Sequence, residues 1–380
     1  MNFPHALAWG AAASLLSALC CAALLPVMVR LATARGWLDH PDRHRTHARA
    51  VPRLGGVAIL LSTTVALAVL YWAGRSALGG VPVMAWPVEV APRLFWGAVA
   101  VFLVGVADDL RGVSPKTKLL VQLVAALMAL SGDLAPKALA LGIESAALPL
   151  PQPLAALGTI LWVVGITNAF NISDGIDGLA GSLALLALGA LLLAGPLLGA
   201  GNGAVLLLLP LSGAIVPFLR RNWPPARIFL GDAGSMTIGY LLAVLSLSVA
   251  TNEAGALYHL IPLAALAYPV VDTLTAMARR VILGHPVMHA DERHIHHQLL
   301  ARGVAAQGAV ARLVGTSALV VCAAFAVTMA PPVLTAPLVI GAGGGLLLLI
   351  GVAFRWLGYM EFTEAAASVR SSLRLLRRRG

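Results

Sequence analysis

Uncharged apolar runs, each about as long as a bilayer is thick, recur from one end of this 380-residue chain to the other. Positions 6–29, 54–72, 119–130 and 333–354 are examples. A span needs about 20 mostly apolar residues, and the chain offers about eleven such stretches. They are placed at 6–29, 54–72, 92–107, 117–131, 153–168, 179–196, 203–218, 234–250, 257–276, 309–329 and 333–353. Composition agrees: 59% of residues are hydrophobic and only 11% charged, where a soluble domain carries roughly 25% charged residues. The expected fold is therefore an all-α polytopic membrane protein. Residues 1–358 form one transmembrane catalytic domain in this reading, and 359–380 a basic cytoplasmic tail. Lys and Arg are absent before Arg30, so the first run is expected to be a retained span and not a cleaved leader. Cys20, Cys21 and Cys322 lie inside apolar runs without metal-ligand spacing and are expected to be small buried hydrophobes.

The charges orient the spans. Net charge is +10, from 26 basic and 16 acidic residues, and the arginines crowd positions 30–53 and 370–379. Basic clusters attract nucleic acid in soluble proteins, but here the positive-inside bias and anionic lipid explain them, and no nucleic-acid partner is expected. With the loop 30–53 in the cytoplasm, the inward loops are 30–53, 108–117, 169–178, 219–233 and 277–308, together with the tail. Outward segments then contain Arg75 and Lys137, with Arg93 at the outward end of the third span. Every dense polar cluster falls on the inward side as well. A transporter would place ionisable groups near the midplane, where only His259 and Asp272 come near, Asp272 towards the inward end of its span. One-sided polarity points to chemistry between a soluble donor and a membrane-bound acceptor.

Each cluster has a plain alternative. Asp108-Asp109 is either a solvated helix end or a carboxylate pair needing cations, with Lys116 and Lys118 close by. The stretch Asn168, Asn171, Asp174, Asp177 contains two Asp-Gly pairs, a turn signal by itself. Four oxygen-bearing side chains so close together also suit a hard cation or phosphate. Gly231-Asp232-Ala233-Gly234-Ser235 is an N-cap with a turn, or a glycine-opened phosphate site whose single carboxylate suits Mg2+. Arg293, His294, His296 and His297 form an interfacial basic segment or a diphosphate-binding patch. In the first loop, His44, Arg45, His47, Arg49 and Arg53 precede paired Gly55-Gly56, which positive-inside bias does not explain. Five such clusters on one side of a bilayer suggest a Mg2+-diphosphate site.

The segments DHPDRHRTHARAVPRLGG, DDLRGVSPKTK, NAFNISDGIDGLAG, FLGDAGS and RHIHH, in that order between Asp39 and Leu300, resemble the signatures of the polyprenyl-phosphate N-acetylhexosamine-1-phosphate transferases. That family includes the undecaprenyl-phosphate GlcNAc-1-phosphate transferases and the phospho-MurNAc-pentapeptide transferases. The resemblance implies a cytoplasm-facing active site in a bacterial inner membrane. It implies transfer of a sugar-1-phosphate such as GlcNAc-1-phosphate from a UDP-sugar to undecaprenyl phosphate, with release of UMP. Such a step opens the synthesis of O-antigen or a related surface glycan. The implied cofactor is Mg2+, with Mn2+ as a substitute; a homodimer is left open. By the same resemblance Asp232 is the metal ligand, and Asp108, Asp109, Asp174, Asp177, His296 and His297 are catalytic. Lys118, Asn168, Asn171, Arg293, His294, His47 and Arg53 bind substrate. The spacing of Arg293, His294, His296 and His297 resembles the GlcNAc-type branch, whereas muramoyl-pentapeptide enzymes carry a Pro-x-His-His-His run absent here.

Overall fold

The computed structural model describes residues 3–39, 50–76, 90–131, 134–140, 147–199, 205–252, 254–282, 294–331 and 333–334. His47, Arg293, the last expected span beyond 334 and the basic tail lie outside them. The described chain is mostly helical. Among the described residues six helices are long and apolar enough to cross a membrane: α1 (Phe3–Arg35), α2 (Gly55–Ser76), α5 (Gln152–Ser173), α6 (Leu179–Leu197), α8 (Gly231–Ala250) and α12 (Ala306–Thr328). Between them run α3 (Val90–Arg111), α4 (Pro115–Leu130), α7 (Val205–Asn222), the short α9 (Leu260–Ala265), α10 (Ala267–Ile282) and α11 (Ile295–Ala301).

Helix α8 is the axis of the bundle. In its apolar stretch 89% of residues are buried, against 28% in α1 and in α12, so protein surrounds α8 while α1 and α12 stand at the periphery. It packs on α3, α5, α6 and α2. The outer surface of the bundle presents Leu15, Leu19, Leu120, Leu161, Leu193 and Leu319. An apolar exterior of this extent suits lipid and not water. Several hydroxyls inside the helices are satisfied locally, which suits a bilayer: Ser62, Thr63, Thr159, Thr167 and Thr237 each donate to the carbonyl four residues back.

Two departures from an all-α chain appear, both small. Strands β1 (Leu38–Asp39) and β2 (Val51–Pro52) pair antiparallel just before α2. In a second sheet, β3 (Ala138–Ala140) lies between β4 (Leu148–Pro149), antiparallel to it, and β5 (Ala256–Tyr258), parallel to it. The second sheet joins segments 132–152 and 251–256, which the charge count assigns to one side. The expected span 257–276 is also not continuous: it divides into β5, α9 and α10, with the break at Leu266. Proline accounts for this. Pro269 has no N–H to offer the carbonyl of Ala265, so the helical ladder stops there.

Candidate active site

The site grows from a backbone seam between the entries to α2 and α8. The amide of Phe229 donates to Pro52 O at 2.7 Å, Gly55 N to Phe229 O at 2.9 Å, and Gly56 N to Leu230 O at 2.8 Å. A Cβ on Gly56 would fall 2.1 Å from the Cα of Gly234. The paired glycines thus let two backbones touch. Gly231 opens α8 with φ +75°, and beside it Asp109 caps the helix: its Oδ1 accepts from Asp232 N at 2.8 Å and its Oδ2 from Ala233 N at 3.0 Å. A carboxylate there also meets the positive end of the helix dipole.

Lys118, near the start of α4, bridges two carboxylates. Its ammonium lies 3.1 Å from Asp108 Oδ2 and 3.0 Å from Asp232 Oδ2, joining the ends of α3, α4 and α8. The other oxygen of Asp108 accepts the Val113 amide at 2.7 Å, which folds the short α3–α4 turn back on itself. Arg53 pairs with Asp39 across the β1–β2 strands, and its charge also favours the ionised form of Asp109.

Helix α5 ends in the oxygen-rich stretch. Asn171 Oδ1 accepts from Ser235 Oγ at 2.5 Å, tying it to α8. Asn168 pairs with Gln122 at 3.3 Å, on the α4–α5 seam. Asp177 holds scaffold, since its Oδ2 accepts the Ala226 amide at 2.8 Å. Asn222, which sequence reasoning passes over, completes this brace: Oδ1 accepts Gly178 N at 2.9 Å and Nδ2 donates to Ile228 O at 2.9 Å. Gly178 is the turn residue of the pair of Asp-Gly sequences, at φ +79°. Gly175 serves a different end, because a Cβ there would lie 2.1 Å from His296 Nε2.

Negative charge accumulates at this end of the bundle. Burial first, then the charges of Asp232, Asp109 and Asp177, push the Asp174 carboxyl well above the usual carboxylate range. Burial likewise raises Asp109 to about 7, against its amide hydrogen bonds. Asp108 is half-buried; hydrogen bonds from Asp232, Val113 and Lys118 outweigh that burial and hold its carboxyl below the ordinary range. Among the described residues no three Asp, Glu, His or Cys side chains form a ready-made metal cage. Asp232, with Asp108 across Lys118, would supply the one or two carboxylates that Mg2+ takes when water and phosphate complete its shell.

The histidines are differently disposed. His294 Nδ1 lies 2.9 Å from Asp272 Oδ2, and Asp272 Oδ1 accepts the Ile295 amide at 2.8 Å. His296 Nδ1 lies 3.0 Å from the hydroxyl of Tyr268. Both imidazoles are buried, while His297 is half-buried with its ring 4.3 Å from that of His296. Asp272 and Tyr268 are not marked as site residues by any motif; the available signal is one carboxylate inside an apolar span, which must be partnered.

Carboxylates, amides and a lysine from four helices therefore meet at one end of a multi-pass membrane bundle, in the manner of a phosphate-handling membrane enzyme. The model of glycosyl transferase family 4 matches residues 92–250. A Bacillus subtilis (strain 168) protein named "Probable undecaprenyl-phosphate N-acetylglucosaminyl 1-phosphate transferase" is 32% identical over 291 residues, covering 74% of each chain. A decaprenyl-phosphate N-acetylglucosaminephosphotransferase of Mycolicibacterium smegmatis is 34% identical over 295 residues, 72% of this chain and 71% of its own. A phospho-N-acetylmuramoyl-pentapeptide-transferase of a Wolbachia species is 32% identical over 220 residues, 56% of this chain and 64% of its own. The chain belongs to the polyprenyl-phosphate N-acetylhexosamine-1-phosphate transferase family. It is a membrane-embedded phosphosugar transferase.

Proposed function

We propose that this chain transfers N-acetylhexosamine-1-phosphate, GlcNAc-1-phosphate above all, from a UDP-sugar to undecaprenyl phosphate and releases UMP. The observation that carries this reading is the meeting of Asp108 and Asp232 on Lys118, with Asp109 and Asp174 beside them. Lys118 and Asp232 lie 114 positions apart in the chain. The matches to N-acetylglucosamine-type relatives span more of the chain than the muramoyl-pentapeptide match, and the Pro-x-His-His-His run is missing; both favour the GlcNAc branch. About eleven spans, a cytoplasm-facing site in a bacterial inner membrane, and a role in opening a surface-glycan pathway belong to the same proposal.

The acceptor is a phosphate monoester whose second pKa is about 6, by analogy with phosphoamino acids, so at neutral pH it is mostly a dianion and already nucleophilic. Its oxygen bonds to the β-phosphorus of the donor as the bond to the α-phosphate's bridging oxygen breaks, and UMP leaves with that electron pair. Mg2+, held by Asp232, would neutralise charge on the diphosphate. Lys118 orients Asp232 and Asp108 and supplies a fixed positive charge at the developing anion. Asp109, spent on the amides of α8, positions Asp232 and does not act as a base. One anhydride replaces another, so the reaction is expected to run in both directions.

The test is incubation of purified protein with undecaprenyl phosphate, Mg2+ and a panel of UDP-sugars that includes UDP-MurNAc-pentapeptide, following UMP. Release dependent on both lipid and a UDP-N-acetylhexosamine is expected. Movement of lipid-linked sugar across vesicles without UMP would make the chain a transporter instead.

A further inference from the structure

Asp272 is 1% exposed, and both its oxygens are engaged at the start of α11: Oδ2 with His294 Nδ1 at 2.9 Å, Oδ1 with the Ile295 amide at 2.8 Å. A buried carboxylate so held favours the tautomer of His294 with its proton on Nδ1. One helical turn earlier on the same face of α10, Tyr268 meets His296 Nδ1 at 3.0 Å. A single face of α10 therefore grips both inner histidines. Their rings lie parallel to within 6°, with centroids 5.7 Å apart. The free edge of His296 is buried without a hydrogen-bond partner and abuts Gly175, where even one added carbon would lie 2.1 Å from Nε2. Gly175 directly follows Asp174. Contacts thus run without a gap from α10 through α11 into the carboxylate-bearing turn, and leave His297 as the less buried of the three rings.

We propose that Asp272 is a positioning residue for phosphosugar transfer: through His294 and the first amide of α11 it seats His296 against Gly175, and so sets where the Asp174 carboxylate and the His297 ring stand. The inference rests on the transferase reading above. Asp272 touches no substrate in this scheme. Its effect is transmitted, and removing it misplaces groups that do touch the diphosphate.

Two measurements on full-length protein in lipid-supplemented detergent test this. The first needs no substrate: carbethoxylation by diethyl pyrocarbonate, followed residue by residue with peptide mass spectrometry. His294 and His296 are expected to be protected and His297 modified in the wild type; in Asp272→Ala the rates at 294 and 296 rise about tenfold or more, as expected for loss of a hydrogen-bonded buried partner. Asp272→Asn has nearly the same shape and keeps the test usable should the alanine variant fail to fold. Unchanged protection in both variants, or wild-type His296 as reactive as His297, overturns the proposal. The second is kinetic. Asp272→Asn is expected to lower kcat/KM roughly tenfold or more in protein whose thermal midpoint still lies well above the assay temperature. Combined with His297→Ala, it should lose clearly less than the product of the two single losses, since part of its effect passes through that ring. Losses that multiply would make Asp272 merely structural and end the idea. A wild type that releases no UMP from any UDP-sugar sinks the transferase reading, while the labelling still decides whether Asp272 seats the histidines.

Discussion

The carboxylate group and the histidine group face one another across the turn at 174–178, yet they are built on opposite electrostatic plans. Among the described residues around Asp232, Lys118 bridges Asp108 and Asp232, Arg53 acts on Asp109 from farther off, and the charges of Asp232, Asp109 and Asp177 bear on Asp174. Asp174 sits buried there with a carboxyl that resists ionising. On the histidine side, Asp272 has His294 and Ile295, and His296 has Tyr268. That network is nearly closed upon itself. The lesson is that crowding of like charge marks where a cationic or phosphate ligand belongs, while neutral pairing of ring, hydroxyl and carboxylate marks where the protein sets the position of its own groups.

Substitution should separate the two plans. The largest effect is expected from Asp232→Asn, with turnover down about a thousandfold or more at any Mg2+ concentration, because the charge-stabilising partner of the diphosphate is lost. A variant retaining normal kcat across a Mg2+ titration would remove Asp232 from the metal site. Next comes Lys118→Met, which leaves two facing carboxylates without their bridge; a fall of about a hundredfold in kcat/KM is expected. Lys118→Arg should not restore it, since a planar guanidinium does not fit where a point charge bridges two acids.

Gly175→Ala attacks the boundary between the regions. Its methyl group meets His296, and a misfit of this kind costs about 1–3 kcal/mol, read here as roughly a tenfold loss of activity. Because the clash is with the end of a side chain, His296→Ala in the same protein should recover part of that loss; no recovery would show that Gly175 is needed for another reason. The smallest effect concerns acid. Burial, then the charge of His297, holds His296 down to about 3, while an unfolded histidine takes up its proton below about pH 6.5. The unfolded state therefore binds more protons between these values, so the stability contributed by neutral His296 is complete above the unfolded pKa and is lost as pH falls. The slope is at most about 1.4 kcal/mol per pH unit. Thermal midpoints from pH 7 to pH 5 should fall less steeply in His296→Gln than in the wild type.

Much of the bundle is legible in the order of residues, because a membrane helix is announced by composition alone. The run 179–196 becomes Leu179–Leu197, and 153–168 sits inside Gln152–Ser173, extended by the polar Asn and Ser residues that continue the helix beyond its apolar part. The division at Leu266 is less legible, since proline within an apolar run does not say whether a helix kinks or stops. In the site, the types of residue are legible and their partners are not. Nothing near Lys118 in the chain foretells Asp232, and nothing near His294 foretells Asp272. Gly175 looks like a turn residue by its neighbour Asp174, but only the folded chain brings His296 to it. His294 and His296 look like ligands for substrate, yet each has a partner inside the protein.

The contact between Gly56 and Gly234 bears on how this sequence can change over generations. Leucines on the lipid side are interchangeable with many other apolar residues, so drift there is expected to be nearly free. Where two main chains touch at these glycines, no other amino acid has room, and a survey of tolerated substitutions would leave both columns blank. Their sparing would trace, in genetic data alone, the line along which helix α8 is fastened to its neighbour.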